Sequence, residues 1–227
     1  MARALFTDRH GGVSTGAFRD FNLALHVGDN PTSVVENRNI LARSLGVDPA
    51  QVFYMNQVHG KDVATITSAS DSTNPASVDA LFTTEPGLAL VVLTADCIPL
   101  LMYSKGAIAA VHVGRKGLVA GIATEVIDLF AEQNISADQI SAELGASICG
   151  GCYEVEMEMY RDVVAQIPAT ATDEERHCLD LVSGLHSQLE SAGIRSVIST
   201  RCTFEDDNYF SYRRDDRTGR QGSVVML

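Results

Sequence analysis

The spacing of hydrophobic and polar positions predicts helices alternating with short strands. Apolar residues recur at helical spacing in a segment that starts at a Pro-Thr-Ser sequence and ends at Gly46, and again on one face after Gly114. Such patterns predict helices over 33–45, 116–133, 155–166 and 173–192. Short runs of apolar or β-branched residues between Gly, Pro, Asp and Ser predict strands over 52–55, 62–67, 80–83, 88–94, 99–103, 107–113, 141–148, 197–199 and 223–227.

The order of these elements predicts the fold class. Six of the strands crowd into the stretch 52–113, so strands and helices alternate only in part. This favours an α+β fold, with a mixed β-sheet core flanked by helices, over a doubly wound sheet. The 227 residues fit one large domain, and we expect a single domain over 1–227.

Composition narrows the classes of partner. A net charge of −12 argues against nucleic acid or an anionic membrane as the main partner, because both reward a basic surface. No apolar run approaches the roughly 20 residues that span a bilayer, and the N-terminus does not resemble a signal peptide. We therefore expect a cytoplasmic protein, and the odd number of five cysteines favours reduced thiols over a disulfide framework.

Three residues stand at or beside the ends of strand-like runs: His59, Cys97 and His112. Two imidazoles and one thiolate that converge at the rim of a sheet would make a three-ligand zinc site with an open fourth position, the catalytic type. Each residue alone is more often an ordinary hydrogen-bonded histidine or a small buried cysteine. Their spacing matches no short zinc-finger pattern, so the prediction of a zinc site depends on whether the fold brings the three side chains together.

A second feature is the turn that follows His112. Gly114-Arg115-Lys116-Gly117 opens a predicted helix, whose free backbone N–H groups form a natural anion site. Basic residues at a helix start oppose the helix dipole, which favours a bound anion there. The alternative is a tight turn with two solvated cations.

Arginines also concentrate near the C-terminus. The loop SYRRDDRTGRQG carries Arg213 and Arg214 among four arginines, and arginine suits phosphate or carboxylate. The neighbouring aspartates, 215 and 216, allow a self-neutralised solvated turn instead. Near the N-terminus, Arg9 precedes a Gly-Gly pair that permits close backbone approach to a ligand.

The pair Cys149-Gly-Gly-Cys152 has two possible functions, in redox chemistry or as half of a zinc site. Without a second C-x-x-C or an H-x₃-H partner we do not expect a structural zinc. The pair also lies too late in the chain for a thioredoxin-like motif, so we expect a tight turn with buried thiols.

Nine segments in order resemble one family over nearly the whole chain, the bacterial laccase-domain family. It was once called multicopper polyphenol oxidases and is now regarded as purine nucleoside phosphorylases with added adenosine deaminase activity. The segments are TDRHGGVS, NLALHVGDNP with ENR, NQVHG, VDALFT, LTADCIPLL, AAVHVGRKG, CGGCYEV, CTFED and FSYRRDDRTGRQG. Two of them depart from the usual pattern: Arg115 replaces the family's tryptophan, and only Cys152 of the cysteine pair is in register.

The resemblance implies one zinc per chain on His59, Cys97 and His112. It also implies phosphorolysis of adenosine, inosine and methylthioadenosine to base and ribose 1-phosphate, and deamination of adenosine. The arginines and Lys116 would then hold phosphate, and Asp96 beside Cys97 is the nearest carboxylate for proton transfer or for orienting a ligand. Copper is rejected, because the six histidines are all isolated whereas multicopper centres need many closely spaced imidazoles.

Two other functions stay open. A cysteine hydrolase would use Cys97 as nucleophile and His112 as base, which leaves His59 without a role. A zinc-binding protein without catalysis would use the three ligands but neither purine nucleosides nor phosphate.

Overall fold

A computed structural model describes residues 2–227. It confirms an α+β fold with mixed sheets and six α-helices among these residues. In chain order the elements are β1 (Arg3–Phe6), α1 (Pro31–Leu45), β2 (Val52–Phe53), β3 (Val63–Thr65), β4 (Ala80–Thr83), β5 (Ala89–Thr94), β6 (Ile98–Tyr103), β7 (Ile108–Val113), α2 (Arg115–Ala120), α3 (Ile122–Glu132), β8 (Ser141–Leu144), α4 (Met157–Gln166), β9 (Ala171–Asp173), β10 (Cys178–Leu179), α5 (Leu181–Ser191), β11 (Arg195–Ile198), α6 (Tyr212–Asp215) and β12 (Gln221–Met226).

Two sheets form the centre of the molecule. The larger has six strands in the order β11-β8-β6-β7-β4-β3, and the smaller has four in the order β1-β12-β5-β2. Both are mixed: β6 runs antiparallel to β7 and β8, whereas β3 is parallel to β4 and β2 is parallel to β5. A separate hairpin pairs β9 with β10.

Alternating side chains place three apolar layers around these sheets. Leu100 and Val111 of the large sheet pack against helices α2 to α5, and Val91 of the small sheet packs against α1. The intervening strand positions, such as Leu101 and Leu90, fill the space between the two sheets. The layers therefore follow one another as helices, large sheet, small sheet and helix. Strands of both sheets end in the same part of the molecule.

Helix α1 shows how closely local signals set an element. Asn30 caps its start by accepting a hydrogen bond from the backbone N–H of Thr32 (2.9 Å), and Pro31 occupies the first turn. Its end is Gly46, which has a left-handed φ of 76°. The predicted helix over 33–45 is confirmed, with a start two residues earlier.

Two predicted helices are wrong in extent. The helix over 116–133 is broken at Gly121, whose φ of 81° ends α2 and starts α3. The first half of the helix over 173–192 is instead the β9–β10 hairpin, in which His177 has a φ of 53°. Asp180 then caps α5 by accepting from the backbone N–H of Ser183 at 2.9 Å, so the helix begins only at Leu181.

The pattern of hydrophobic and polar positions predicts neither the N-terminal edge strand β1 nor the short helix α6 in the arginine-rich loop. Strand β1 pairs antiparallel with β12 and so joins both ends of the chain in the small sheet. Helix α6 lies within the segment predicted as a loop, with Ser211 capping it through the backbone N–H of Arg214. Across residues 2–227, none of the helices combines the length and apolar character that crossing a bilayer requires.

Candidate metal centre and adjoining cavities

The ends of two central strands bring the predicted ligands together. In β7, Val111 and Val113 face the helices, so the intervening His112 points to the side between the sheets. Cys97 immediately precedes β6, the strand that pairs with β7, and Pro99 lies opposite His112 in the ladder. His59 comes from the loop between β2 and β3, where its backbone has a left-handed φ of 60°.

The three side chains meet at one point. Their ligand atoms all lie within 4.8 Å of one another, and the two imidazole rings stand edge to face with centroids 4.8 Å apart. His112 is buried, Cys97 is half-buried and His59 is exposed. The structure thus brings together the three residues predicted as metal ligands, in a site that opens to solvent on the His59 side.

A buried carboxylate that the sequence did not single out organises this centre. Asp79 Oδ1 accepts a hydrogen bond from His112 Nδ1 at 2.7 Å, which leaves the other ring nitrogen facing the site. The same carboxylate accepts from the backbone N–H groups of His59 (2.9 Å) and Gly60 (2.6 Å). Asp79 therefore fixes the ring of one histidine and the backbone of the other.

The electrostatics of the centre favour a thiolate. Burial raises the pKa of Cys97, but hydrogen bonds and charge from His112 and His59 outweigh burial and lower that pKa to about 6. Burial lowers the pKa of His112, while its bonds to Asp79 and Cys97 raise it to about 9. Burial likewise raises the pKa of Asp79. The hydrogen bonds that Asp79 accepts from His112 and from the backbone N–H groups outweigh burial, so its pKa is lowered.

Close packing keeps the centre compact. A Cβ at Gly114 would lie 3.2 Å from both Cys97 Sγ and His59 Cδ2, so this position favours glycine. Gln57 ties the His59 loop to β5 through two bonds, donating to the Leu93 carbonyl (2.7 Å) and accepting from the Leu93 N–H (3.0 Å).

A cavity of about 240 Å³ opens on the three ligands. Its polar lining includes His26, Thr94 and Arg220. The hydroxyl of Thr94 is buried and has no hydrogen-bond partner among the described residues. Burial, followed by the charges of Arg220 and Arg38, lowers the pKa of His26 and favours a neutral imidazole. The cavity therefore offers an unpaired hydroxyl, a neutral imidazole and a cation beside the ligands.

A larger cavity of about 790 Å³ contains two of the predicted anion-binding residues, Arg115 and Arg213. Arg213 stacks on Tyr153, with its guanidinium carbon 5.2 Å from the ring centroid, and donates to the Glu154 carbonyl (3.0 Å). Burial raises the pKa of Tyr153, Arg115 opposes that rise, and the charge of Cys97 adds to it. Tyr153 thus lies within electrostatic reach of the candidate metal centre.

The remaining predicted residues lie elsewhere or are already engaged. All five N–H donors of Arg214 are used by carbonyl groups of the 203–209 segment and by Asp215. Arg9 donates to the Arg19 carbonyl and stacks on Phe210, and Lys116 is exposed at the start of α2. Neither Arg9 nor Lys116 lines the two cavities described above.

Asp96 has its carboxylate engaged on both oxygens. Oδ1 accepts a hydrogen bond from the Thr203 hydroxyl and Oδ2 accepts one from the backbone N–H of Arg213, each at 2.7 Å. Its own backbone carbonyl accepts from the N–H of Ile148 at 2.9 Å. Asp96 consequently joins three segments next to Cys97.

The sequence did not single out His26 and Gln57, which line the smaller cavity. Three further polar residues of the centre were also not predicted: Asp79, Thr94 and Arg220. Asp79 lies in the VDALFT segment, which contributed to the family resemblance without pointing to a role. Arg220 belongs to the arginine-rich loop but was not distinguished from its neighbours, and Thr94 reads as an ordinary strand residue. Only the pairing of β5 with β12 and of β4 with β7 brings these positions to the ligands.

The sequence matches a known family over nearly its whole length. The family model described as multi-copper polyphenol oxidoreductase laccase matches residues 3–227. Among solved structures, a hypothetical protein of Bacillus licheniformis is similar with a TM-score of 0.93 and 29% identity, covering 100% of this chain and 92% of that one. YlmD from Geobacillus stearothermophilus has a TM-score of 0.90 and 32% identity, covering 99% of this chain and 91% of that one.

Curated relatives bear a different name from the family description. A protein of Streptomyces coelicolor named purine nucleoside phosphorylase is 46% identical over 227 residues, which cover 98% of this chain and 94% of the relative. An Escherichia coli K12 protein of the same name is 34% identical, covering 99% of this chain and 93% of the relative.

Proposed function

The chain belongs to the family described as multi-copper polyphenol oxidoreductase laccase, and we propose that it is a zinc-dependent purine nucleoside phosphorylase that also deaminates adenosine. The names of its relatives support the phosphorylase activity. The observation that carries the proposal is the convergence of His59, Cys97 and His112 within 4.8 Å, beside a cavity with unpaired polar groups.

The donor set fits zinc. Two imidazole nitrogens and a thiolate are ligands that zinc takes in catalytic sites, and three protein ligands leave a fourth position open. The bond from His112 Nδ1 to Asp79 leaves the other ring nitrogen to bind the metal in exchange for its proton, and the low pKa of Cys97 supplies a thiolate at neutral pH. When bound, zinc would supply Lewis-acid activation of a water molecule or of a substrate oxygen.

The chain's own residues would bind and orient the nucleoside. Thr94 offers its unpaired hydroxyl to a polar group of the substrate, since a buried hydroxyl without a partner is otherwise unfavourable. Arg220, whose pKa burial lowers, lines the same cavity and can hold an electron-rich group. These groups would hold the nucleoside against the metal centre in the smaller cavity.

Phosphate would lie in the larger cavity. In phosphorolysis a phosphate oxygen forms a bond to C1′ while the bond from C1′ to the base breaks, and the base takes up a proton. Arg115 and Arg213 line that cavity next to Tyr153, and arginine's fork suits phosphate oxygens. We therefore assign phosphate to these two arginines and assign Arg214 to bracing the loop.

Deamination needs a proton donor and acceptor near the purine amino group. Asp96 already accepts two hydrogen bonds, so we assign it to positioning the loops beside Cys97. His26 is the remaining imidazole in the smaller cavity, and its lowered pKa leaves it free to accept a proton at neutral pH. We propose His26 as the proton-transfer group of that second reaction.

Product analysis tests the proposal. Zinc-loaded protein is incubated with adenosine or inosine, with and without phosphate, and bases, nucleosides and sugar phosphates are separated by chromatography. We expect free base and ribose 1-phosphate only with phosphate, and inosine from adenosine in both conditions. Cys97→Ser should lose both reactions, whereas Cys178→Ala, a cysteine outside the site, should keep them. Absence of turnover by the metal-loaded protein would overturn the proposal.

One observation favours a second candidate, a cysteine hydrolase. The lowered pKa of Cys97 beside His112 is also what a nucleophilic thiolate requires. Metal analysis distinguishes the two: a zinc ion lost in Cys97→Ser and protection of Cys97 from alkylation by zinc contradict a free nucleophile. Bound zinc without turnover of any nucleoside would indicate a zinc-binding protein without catalysis.

A further inference from the structure

A second group of metal-type ligands lies outside the site described above. Cys149, Cys152, Cys202 and Glu205 place their ligand atoms within 4.8 Å of one another. The sequence predicts a tight turn with buried thiols here. The turn is present, but Cys149 and Cys152 are only half-buried, and a third thiol joins them from a distant part of the chain.

Two turns of equal spacing build the cluster. Cys149 and Cys152 are three positions apart, and the Cys149 carbonyl accepts from the N–H of Cys152 at 3.0 Å, which closes a tight turn. Cys202 and Glu205 are also three positions apart. The second half that a C-x-x-C zinc site needs is therefore present in the form C-x-x-E, which a search for cysteine and histidine pairs overlooks.

Backbone contacts hold the two turns against each other. Ser147 and Cys202 form an isolated parallel bridge, and the N–H of Cys149 donates to Cys202 Sγ at 3.3 Å. Cys152 Sγ lies 3.4 Å from a carboxylate oxygen of Glu205. An N–H group directed at a sulfur is the kind of second contact that supports metal-bound thiolates.

We propose that these four residues bind a zinc ion in a closed structural site. Tetrahedral coordination at a zinc–sulfur distance of 2.3 Å sets the sulfurs about 3.8 Å apart, and because the ligand atoms already lie within 4.8 Å of one another, at most a small contraction is needed. Thiolates favour zinc or copper(I), and the added carboxylate of Glu205 favours zinc. With four protein ligands, no position is left open for substrate.

The site would brace the neighbourhood of the other metal centre. Ile148, which precedes Cys149, donates its N–H to the Asp96 carbonyl, and Thr203, which follows Cys202, donates to the Asp96 carboxylate. Asp96 in turn precedes Cys97. Half-buried Cys152 and exposed Glu205 leave a path by which the ion can enter. Zinc here would fix the two segments on either side of Asp96.

Metal stoichiometry tests the proposal. Metal-free protein is loaded with zinc alone, passed through a desalting column and analysed for zinc per chain by mass spectrometry. We expect two equivalents in the wild type, one in Cys97→Ser, one in the double variant Cys149→Ser/Cys152→Ser, and two in Cys178→Ala, the remaining cysteine. Cobalt substitution gives a second readout: the sulfur-to-metal absorption of the second site should persist in Cys97→Ser.

Three outcomes would overturn the proposal. They are a single equivalent of zinc in the wild type that is lost in Cys97→Ser, two equivalents in the double cysteine variant, or a disulfide within the cluster found by thiol counting of freshly purified protein without reductant. If the double variant does not fold, Glu205→Gln is used in its place. We expect it to lower the zinc affinity of the second site at least about tenfold, as measured by competition with a chelator. An unchanged affinity overturns the proposal. Because the variants separate the two sites, failure here leaves the proposed phosphorylase activity untouched.

Discussion

At the scale of single residues, Asp79 holds the candidate metal centre together. It is fully buried, yet each of its oxygens accepts hydrogen bonds, and its partners belong to two different ligand-bearing segments. A buried carboxylate is unfavourable unless it is paired in this way. We propose that it positions the candidate ligands, since it touches the imidazole of His112 and the backbone around His59.

We expect Asp79→Asn to weaken zinc binding by roughly 10- to 100-fold, the usual effect of losing a carboxylate that orients a metal-bound histidine. Competition with a chromophoric chelator measures the affinity. Asp71→Asn is the matched control, because Asp71 also accepts a backbone N–H bond but lies exposed on a distant loop. Equal zinc affinities in the two variants would contradict a positioning role for Asp79.

A second prediction at this scale concerns Cys97. Its pKa is lowered to about 6, whereas burial raises the pKa values of Cys149, Cys152 and Cys178. A group with a lowered pKa stays ionised down to that pKa, so in metal-free protein Cys97 should be alkylated at nearly its full rate at pH 7. The rate should fall to half near pH 6.

Peptide mapping after timed iodoacetamide treatment measures this pH dependence residue by residue. Zinc should protect Cys97, and His112→Gln should move the midpoint to higher pH because the imidazolium partner is lost. If Cys97 reacts only above pH 8, the thiolate is not stabilised in the metal-free protein.

At the scale of elements, α5 shows where a sequence pattern fails. Residues 173–177 are polar and acidic and continue a helical pattern without interruption, but the left-handed His177 and the cap at Asp180 divide the segment. Helices such as α1, which has both a capping residue and a terminal glycine, were predicted almost to the residue. Boundaries were therefore accurate where a cap and a glycine flank the apolar pattern, as in α1. They were inaccurate where the cap or the glycine lies inside a continuous pattern, as at Asp180 and Gly121.

The cap at Asp180 gives a direct test of the corrected boundary. Asp180→Ala should lower the free energy of unfolding by about 1 kcal/mol, because the side chain accepts the Ser183 N–H at the start of α5. Urea denaturation followed by circular dichroism measures the change. Glu190→Ala, an exposed position later in the same helix, should change stability by less than about 0.5 kcal/mol. A helix that ran through residue 180 would show no loss in the first variant.

Within the site, the candidate metal ligands were predictable from the sequence, whereas the cavity wall beside them was not. The ligands stand at strand ends, which their sequence positions reveal, and the structure brings them together because β6 and β7 are neighbours. Gln57, Thr94 and Arg220 reach the same cavity through the second sheet, whose pairing of β5 with β12 joins distant segments. No local pattern encodes that pairing, so the cavity wall could not be predicted from the sequence.

At the scale of the whole molecule, one cavity is locally rich in arginine although the chain as a whole is acidic. The chain carries a net charge of −12, yet in one cavity beside the candidate metal centre arginines outnumber carboxylates: Arg115, Arg176 and Arg213 against Glu154 and Glu156. An acidic surface repels phosphate in general, while a cleft lined by cations concentrates it locally. The proposed phosphate site therefore depends on a few arginines whose removal would leave a repulsive surface.

Replacing Arg115 and Arg213 with alanine should consequently raise the KM for phosphate far more than the KM for inosine. Each lost hydrogen bond to a charged group is worth about 1.5–3 kcal/mol, which corresponds to roughly a 10- to 100-fold weaker interaction. Steady-state phosphorolysis at varied phosphate and at varied inosine separates the two constants. Arg161→Ala is the control, an exposed arginine on α4 away from the cavity lining, and should leave both constants unchanged. Equal rises in both constants would contradict a specific phosphate site at these two arginines.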